Sequence, residues 1–278
     1  MTLSHETHSE AGIVRYGVMG AGPPLVLVHG TPTSTHIWRK VAPWLARDFT
    51  VYVYDLPGYG QSEKSDGQDV SMGAQGRVLA DLLQQWDLDA PRIAAHDIGG
   101  GIALRAHLLH GARIGRLALL DTLAMRPRGG GLWGTTWSRH CRAHGTEAFE
   151  ALPEYLHAGL LKPYLRTALH RPVTDEELEP LLAPWRGPVG QKAFYRQIRQ
   201  LDECYTDDIE GRLHEVSVPV HIIWGEEDTW LDFDFAERLR RAIPGATLRY
   251  LAGAGHFSME DAPAAVTLEL RRFMSNGR

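Results

Sequence analysis

The stretch Arg92-Ile93-Ala94-Ala95-His96-Asp97-Ile98-Gly99-Gly100-Gly101 decides how the chain is read. A short apolar strand leads into a small-x-nucleophile-x-small turn, and the turn opens a helix carrying Ala103, Leu104, Ala106, Leu108 and Leu109. So sharp a turn is strained and needs small flanking residues, which Ala95, Gly99 and Gly100 supply. The residue at its tip is an aspartate. A hydroxyl there would point to acyl transfer, whereas a carboxylate points to attack on an sp3 carbon, giving an alkyl-enzyme ester that water then opens.

Outward from this turn, short apolar runs alternate with helical patterns. The strands expected are Ile13–Val18, Leu25–His29, Thr50–Asp55, Arg92–His96, Leu117–Asp121, Val220–Trp224 and Thr247–Leu251. Several are near-continuous Val/Ile/Leu runs, as strands covered on both faces require, so the fold class is α/β with a mostly parallel central sheet flanked by helices. Three stretches fit a 3.6-residue period: Ile37, Val41, Trp44 and Leu45; Val78, Leu79, Leu82, Leu83 and Trp86; Val266, Leu270, Phe273 and Met274.

The alternation stops after the strand Leu117–Asp121, taken as the sixth of the sheet. Residues 123–213 carry glycines, prolines and helical fragments, including a capping box at Thr174-Asp175-Glu176-Glu177 and a helix through Phe194, Ile198 and Leu201. An all-helical insertion there is expected to cap the strand C-termini, where open α/β sheets bind ligands. The domain organisation expected is a core of 11–122 and 214–278, a helical cap over 123–213, and a flexible tail over 1–10.

The 278 residues suffice for one large buried core, and 44% apolar with 23% charged is ordinary for a soluble enzyme. With 29 Lys plus Arg against 34 Asp plus Glu, the net charge of −5 gives no case for nucleic acid or an anionic membrane as partner. Met1 to Glu10 is polar and lacks the apolar stretch of a signal peptide. Cys141 and Cys204 match no metal-ligand spacing, so reduced thiols and a cytoplasmic location are expected. A small apolar substrate is the expected partner, with a homodimer compatible; no cofactor or metal is implied.

Four segments converge on one chemistry. Asp97 sits on the elbow. His29-Gly30-Thr31-Pro32 follows a strand, where a backbone N–H, with that of Ile98, would polarise an oxygen in the transition state. Trp224-Gly225-Glu226-Glu227-Asp228 places an acid after the penultimate strand, and Gly253-Ala254-Gly255-His256-Phe257 offers a histidine after the last. Nucleophile, acid, histidine is the chain order of an α/β-hydrolase. From about Val14 to Met274 the chain resembles that superfamily, and the aspartate elbow places it beside the epoxide hydrolases and haloalkane dehalogenases. Asp55-Leu56-Pro57-Gly58-Tyr59-Gly60-Gln61-Ser62 also resembles a loop of these families, and no Gly-x-Ser-x-Gly occurs.

The resemblance implies that His256 takes a proton from the water that opens the ester, with Asp228 fixing its tautomer; Asp121, ending Leu119-Leu120-Asp121, is the alternative acid. Asp97 is expected to be ionised near neutral pH. His29 is expected to hold the oxyanion loop, and Trp38 and Trp230 to face the cleft. His96 is given no chemistry.

Epoxide hydrolases of this type donate to the opening oxygen from lid tyrosines. Ala193-Phe194-Tyr195-Arg196-Gln197 resembles the segment that brings one, Tyr195, and the second is Tyr155 or Tyr164, with Tyr155 preferred. Haloalkane dehalogenases generally place Trp after the nucleophile and often Asn after His-Gly; here these are Ile98 and Thr31. Fluoroacetate-type dehalogenases use arginines where this chain has Ile98 and Gly101. Epoxide opening to a diol is therefore preferred. Haloalkane dehalogenation, an ester or lactone hydrolase, and a non-hydrolytic enzyme or receptor on the same scaffold stay open. Trp133, Trp137, Trp185, Phe149, Leu160 and Leu161 suggest an apolar lid, and Gly129-Gly130-Gly131 would let its first segment move.

Overall fold

The computed structural model describes residues 1–126, 137–232 and 234–275. Its sheet has eight strands: β1 (His5–Ser9), β2 (Gly12–Met19), β3 (Pro24–Val28), β4 (Thr50–Tyr54), β5 (Arg92–His96), β6 (Arg116–Leu120), β7 (Val220–Gly225) and β8 (Thr247–Leu251). They lie in the order β1-β2-β4-β3-β5-β6-β7-β8. The β1–β2 and β2–β4 pairs are antiparallel and the rest parallel. The parallel strands explain the apolar runs: Leu25–Val28 and all of β7 are buried, as strands covered on both faces must be.

Two expectations fail here. Residues 1–10 are not a flexible tail, because His5–Ser9 forms a hairpin with β2 in the register His5↔Tyr16 to Ser9↔Gly12. Side-chain polarity did not disqualify this edge strand, since its backbone ladder and the stacking of His5 on Tyr16 (5.1 Å) hold it. Ile37 to Leu45 is not one helix either. A 3-10 turn, Thr35–Trp38, is followed by a separate short helix, α1 (Ala42–Leu45), with Pro43 in its first turn and Trp44 exposed. Proline has no N–H to continue a helix through that point but is well suited to starting one.

The remaining sheet crossovers carry α2 (Met72–Gln85) and α3 (Ile98–His110), which pack on one another. Between β6 and β7 come α4 (Trp137–His144), α5 (Glu147–Glu150), α6 (Glu154–Arg166), α7 (Asp175–Leu182), α8 (Gly187–Gln200) and α9 (Cys204–Glu210). The capping box is present at α7, where Thr174 and Glu177 bond reciprocally. After β7 come α10 (Asp234–Ala242), α11 (Ser258–Asp261) and α12 (Pro263–Ser275), the last packing on β6 and β7. Among the described residues no helix is long and apolar enough to cross a membrane, no cluster suits a metal ion, and both cysteines are unpaired.

The helices between β6 and β7 are tied to the loops at the C-terminal ends of three strands. Trp185 Nε1 donates to the Pro32 carbonyl beyond β3 (2.7 Å), and Trp230 Nε1, beyond β7, donates to Thr167 Oγ1 (2.8 Å). Beyond β8, the Phe257 N–H donates to the Ala168 carbonyl (2.9 Å). Each tie lands beside a residue singled out in the sequence.

Candidate active site

Asp97 occupies the elbow with φ +52°, a conformation that L-residues rarely adopt. The turn is held from three sides: the Asp97 N–H donates to the Leu120 carbonyl (3.0 Å), and its own carbonyl accepts from Gly100 and Leu123 (both 3.1 Å). Gly30 and Gly99 are needed for close approach. A Cβ on Gly30 would lie 2.4 Å from that of Asp97, and one on Gly99 would lie 2.5 Å from the His29 carbonyl.

The Asp97 carboxylate is fully buried, and its two oxygens have different surroundings. Oδ2 accepts from the Thr31 N–H at 2.8 Å, and the Ile98 N–H also bonds the carboxylate. Oδ1 lies 3.7 Å from His256 Nε2, and neither atom has a hydrogen-bond partner among the described residues. Burial pushes the Asp97 pKa up to about 7, against the opposing His256 charge and the two N–H groups. Burial thus works against the ionisation expected near neutral pH, and the His256 charge and the two N–H groups work for it.

His256 Nδ1 is 2.9 Å from Asp228 Oδ2, and Asp228 Oδ1 is fixed in turn by the Trp230 N–H (2.7 Å) and the Leu231 N–H (3.1 Å). Burial lowers the His256 pKa, but the Asp228 charge and hydrogen bond, with the charges of Asp97 and Asp121, outweigh it and raise the value to about 9. The Trp230 ring stacks on the imidazole at 4.9 Å. Behind it, His96 Nε2 donates to the His256 carbonyl (2.9 Å). His29 gives Nδ1–H to the Gly30 carbonyl (2.9 Å) and accepts the Leu56 N–H on Nε2 (3.0 Å), which fixes the neutral tautomer and ties the oxyanion loop to the loop after β4.

Asp121 is also close, but its oxygens are engaged elsewhere, Oδ1 by the Gly225 N–H (2.7 Å) and Oδ2 by Ser258 Oγ (2.6 Å). Burial, then the Asp228 charge, holds its pKa well above the usual range. Of the two acids weighed, Asp228 is the one on the imidazole. Glu226 and Glu227 are exposed.

The helical side differs from expectation. Tyr155 is 73% exposed and does not reach the site. Tyr195 is buried, but its hydroxyl is 2.9 Å from His157 Nδ1, while His157 Nε2 is 3.0 Å from the Trp185 carbonyl. A carbonyl only accepts, so Nε2 carries the proton, and with burial lowering the His157 pKa, Nδ1 must accept from Tyr195. The Tyr195 proton is therefore spent on His157. Tyr164, the other candidate, stacks on Trp230 at 4.7 Å, so it stands on the ring that covers His256. Its pKa is raised by burial, then by the charge on Asp97 and by Tyr59. Leu160 is 43% exposed and does not line a buried site. Trp133 and Gly129-Gly130-Gly131 lie outside the described residues. Trp38 is fully buried, and its Nε1 has no partner among the described residues.

Two residues that the sequence reading passed over belong here. The Tyr59 hydroxyl donates to Gln197 Oε1 (3.1 Å), as does Thr31 Oγ1 (2.6 Å). Gln197 had a legible signal: it falls four residues after Ala193 and three after Phe194, a polar side chain on the buried face of α8. Tyr59 lay between two glycines in a loop, and nothing in its pattern marked it.

A family model described as alpha/beta hydrolase fold matches residues 23–263. An alpha/beta hydrolase fold protein of Burkholderia ambifaria is similar in structure, with TM-score 0.91, 41% identity and 97% of each chain covered. A fluoroacetate dehalogenase of Burkholderia sp. is 27% identical over 277 residues, 94% of this chain and 90% of the relative. A haloalkane dehalogenase variant of Bradyrhizobium elkanii, at 20% identity, 98% and 95% coverage and TM-score 0.82, shares the fold. The elbow, the order of the loops that meet at it and the match across most of the chain agree, and the protein belongs to the alpha/beta hydrolase fold family.

Proposed function

We propose that the protein is a hydrolase that attacks an sp3 carbon with Asp97 and releases the product by hydrolysis of the resulting ester, with an epoxide as substrate and a diol as product. The observation that carries this reading is the pairing of a buried elbow carboxylate, Oδ1 unengaged, with His256 Nε2 at 3.7 Å. Asp97 Oδ1 bonds the carbon, the ring C–O bond breaks, and its electron pair passes to the oxygen, which takes a proton from the Tyr164 hydroxyl. Alkylation removes the Asp97 charge, one of the groups that keep His256 protonated. The imidazolium then yields its proton, restoring Tyr164 through solvent, and becomes a base. Water attacks the ester carbon, Nε2 takes its proton, and the oxyanion on Oδ2 is held by the Thr31 and Ile98 N–H groups. Collapse expels the diol, which takes the proton back from His256. Asp228 keeps Nδ1 protonated throughout.

Halide departure is the second reading, favoured by the fluoroacetate dehalogenase relative. One experiment separates the two: intact mass of His256→Ala after exposure to aryl epoxides and haloalkanes in alkaline buffer. The expected result is an adduct of the whole epoxide mass that is absent when Asp97→Asn is added. An alkyl adduct lacking the halogen, with none from epoxides, would replace epoxide opening by dehalogenation. No adduct from a compound that the wild type turns over would remove Asp97 as nucleophile.

A further inference from the structure

Gln197 is 1% exposed. Its Oε1 receives both hydroxyl protons within reach, from Thr31 Oγ1 at 2.6 Å and from Tyr59 at 3.1 Å. Its Nε2 is buried as well and meets no acceptor among the described residues. Buried amide groups in folded proteins almost always find partners, and one left without a partner calls for an explanation. The explanation lies in its neighbour. Thr31, which clamps Oε1 through its hydroxyl, holds Asp97 Oδ2 through its backbone N–H at 2.8 Å. The amide is thus linked through Thr31 to the candidate nucleophile, on a side chain fixed by two hydroxyls.

We infer that Gln197 Nε2 is a substrate-binding donor that holds a neutral oxygen on the substrate, on or next to the carbon facing Asp97. An anionic acceptor is disfavoured beside the buried Asp97 carboxylate, since the His256 cation is already paired with Asp228 and no arginine stands at Ile98 or Gly101 to offset a second negative charge. The substrate class is therefore an apolar body bearing an ether, epoxide, hydroxyl or carbonyl oxygen, and a plain hydrocarbon or a carboxylate fits poorly. An amide N–H does not give up its proton, so Gln197 positions and polarises the oxygen and leaves proton transfer to other groups. Ile98 has no polar side chain and the Thr31 hydroxyl is spent on Gln197, so the side-chain amide at this site comes from α8. The inference depends on the proposed function only in taking Asp97 as the atom that this oxygen lies beside.

Binding of unreactive ligands tests it without turnover. Acetophenone and ethylbenzene share a carbon skeleton and differ in the carbonyl, and their dissociation constants can be followed by the fluorescence of the tryptophans, Trp230 among them. The ratio of the two constants is compared in wild type, Gln197→Met and Gln197→Glu. Gln197→Glu keeps an acceptor for both hydroxyls and, ionised in alkaline buffer where the constants are measured, offers no donor, while Gln197→Met offers neither. The expected result is a shift of about tenfold against the ketone in both variants. An unchanged ratio in both would overturn the inference, as would a shift confined to Gln197→Met, which would trace the effect to the hydroxyl network instead. The mass-trapping result is independent: loss of the Asp97 adduct would remove the nucleophile and leave this ratio standing.

Discussion

Asp97, Asp228 and His256 each lie a few residues beyond a parallel strand, whereas Tyr164, Gln197 and Trp185 come from helices between β6 and β7. The two groups are placed by different forces. Parallel strands are locked to their neighbours by backbone ladders, so the loop after each one emerges at a fixed place. The helices have no such template, and side-chain packing sets their rotation. On α8, Tyr195 and Gln197 are two residues apart, about 200° around the axis, and that difference sends one hydroxyl to His157 and one amide to the site. Strand-end chemistry tolerates changes in packing, and helix-borne chemistry depends on them.

The largest effect should come from the strand-end side. Asp97→Asn is expected to lower kcat/KM by at least about 10⁴ and to abolish the trapped adduct. Its melting temperature at pH 8 should be no lower than that of wild type. The Asp97 pKa is raised to about 7 in the folded state, above its unfolded value, so the stability tied to its protonated form is present at low pH and lost as pH rises to about 7. A neutral amide at this position escapes that loss. A clear drop in melting temperature would show the carboxylate to be a structural group.

Asp228 and Asp121 sharpen the comparison within the same side. Asp228→Asn disturbs the acceptor of His256 Nδ1 and should slow ester hydrolysis by about 10² to 10⁴ in single-turnover kinetics. Asp121→Asn keeps an acceptor for the Gly225 N–H and donates from Nδ2 to Ser258 Oγ, reversing a bond that the hydroxyl can make either way, so the same rate should stay within about threefold. Equal losses in the two variants would make the acids a shared unit.

This asymmetry is also where the sequence was readable. The elbow, the order of its partners and seven of the eight strands follow from motifs that local sterics impose, such as Gly30 and Gly99 beside Asp97. β1 was missed because an edge hairpin is held by its backbone and not by an apolar pattern. The helix-borne residues were harder. Tyr195 lies in a segment that resembles the family's, yet His157, 38 residues away, takes its proton. Tyr155 and Tyr164 share α6, and only packing tells the exposed one from the one stacked on Trp230. Local pattern carries no information about such long-range partners.

Two tyrosine variants test the helical side. Tyr164→Phe should slow adduct formation with an aryl epoxide by about 10- to 100-fold, the effect of losing a proton donor. Tyr195→Phe should leave that rate within about threefold and cost about 1–2 kcal/mol of stability, because the buried His157 Nδ1 loses its donor. Rapid-quench mass spectrometry and denaturant unfolding give the two numbers. A slow Tyr195→Phe at unchanged stability would return that residue to the reacting centre.

The smallest effect is a shift in pH dependence, and it links both sides through charge. Attack requires ionised Asp97, so the rate of adduct formation should fall as pH drops below about 7. The neighbouring His256 cation works against the burial that raises this pKa. Removing it in His256→Ala should therefore move the limb to higher pH, and trapping should be slower in neutral than in alkaline buffer. A histidine that deprotonates the nucleophile would behave differently, because its loss would lower the rate at every pH, the alkaline plateau included. A limb that stays in place in His256→Ala would mean that the two buried charges do not interact across their 3.7 Å gap, leaving burial and the N–H groups as the forces that set the Asp97 pKa.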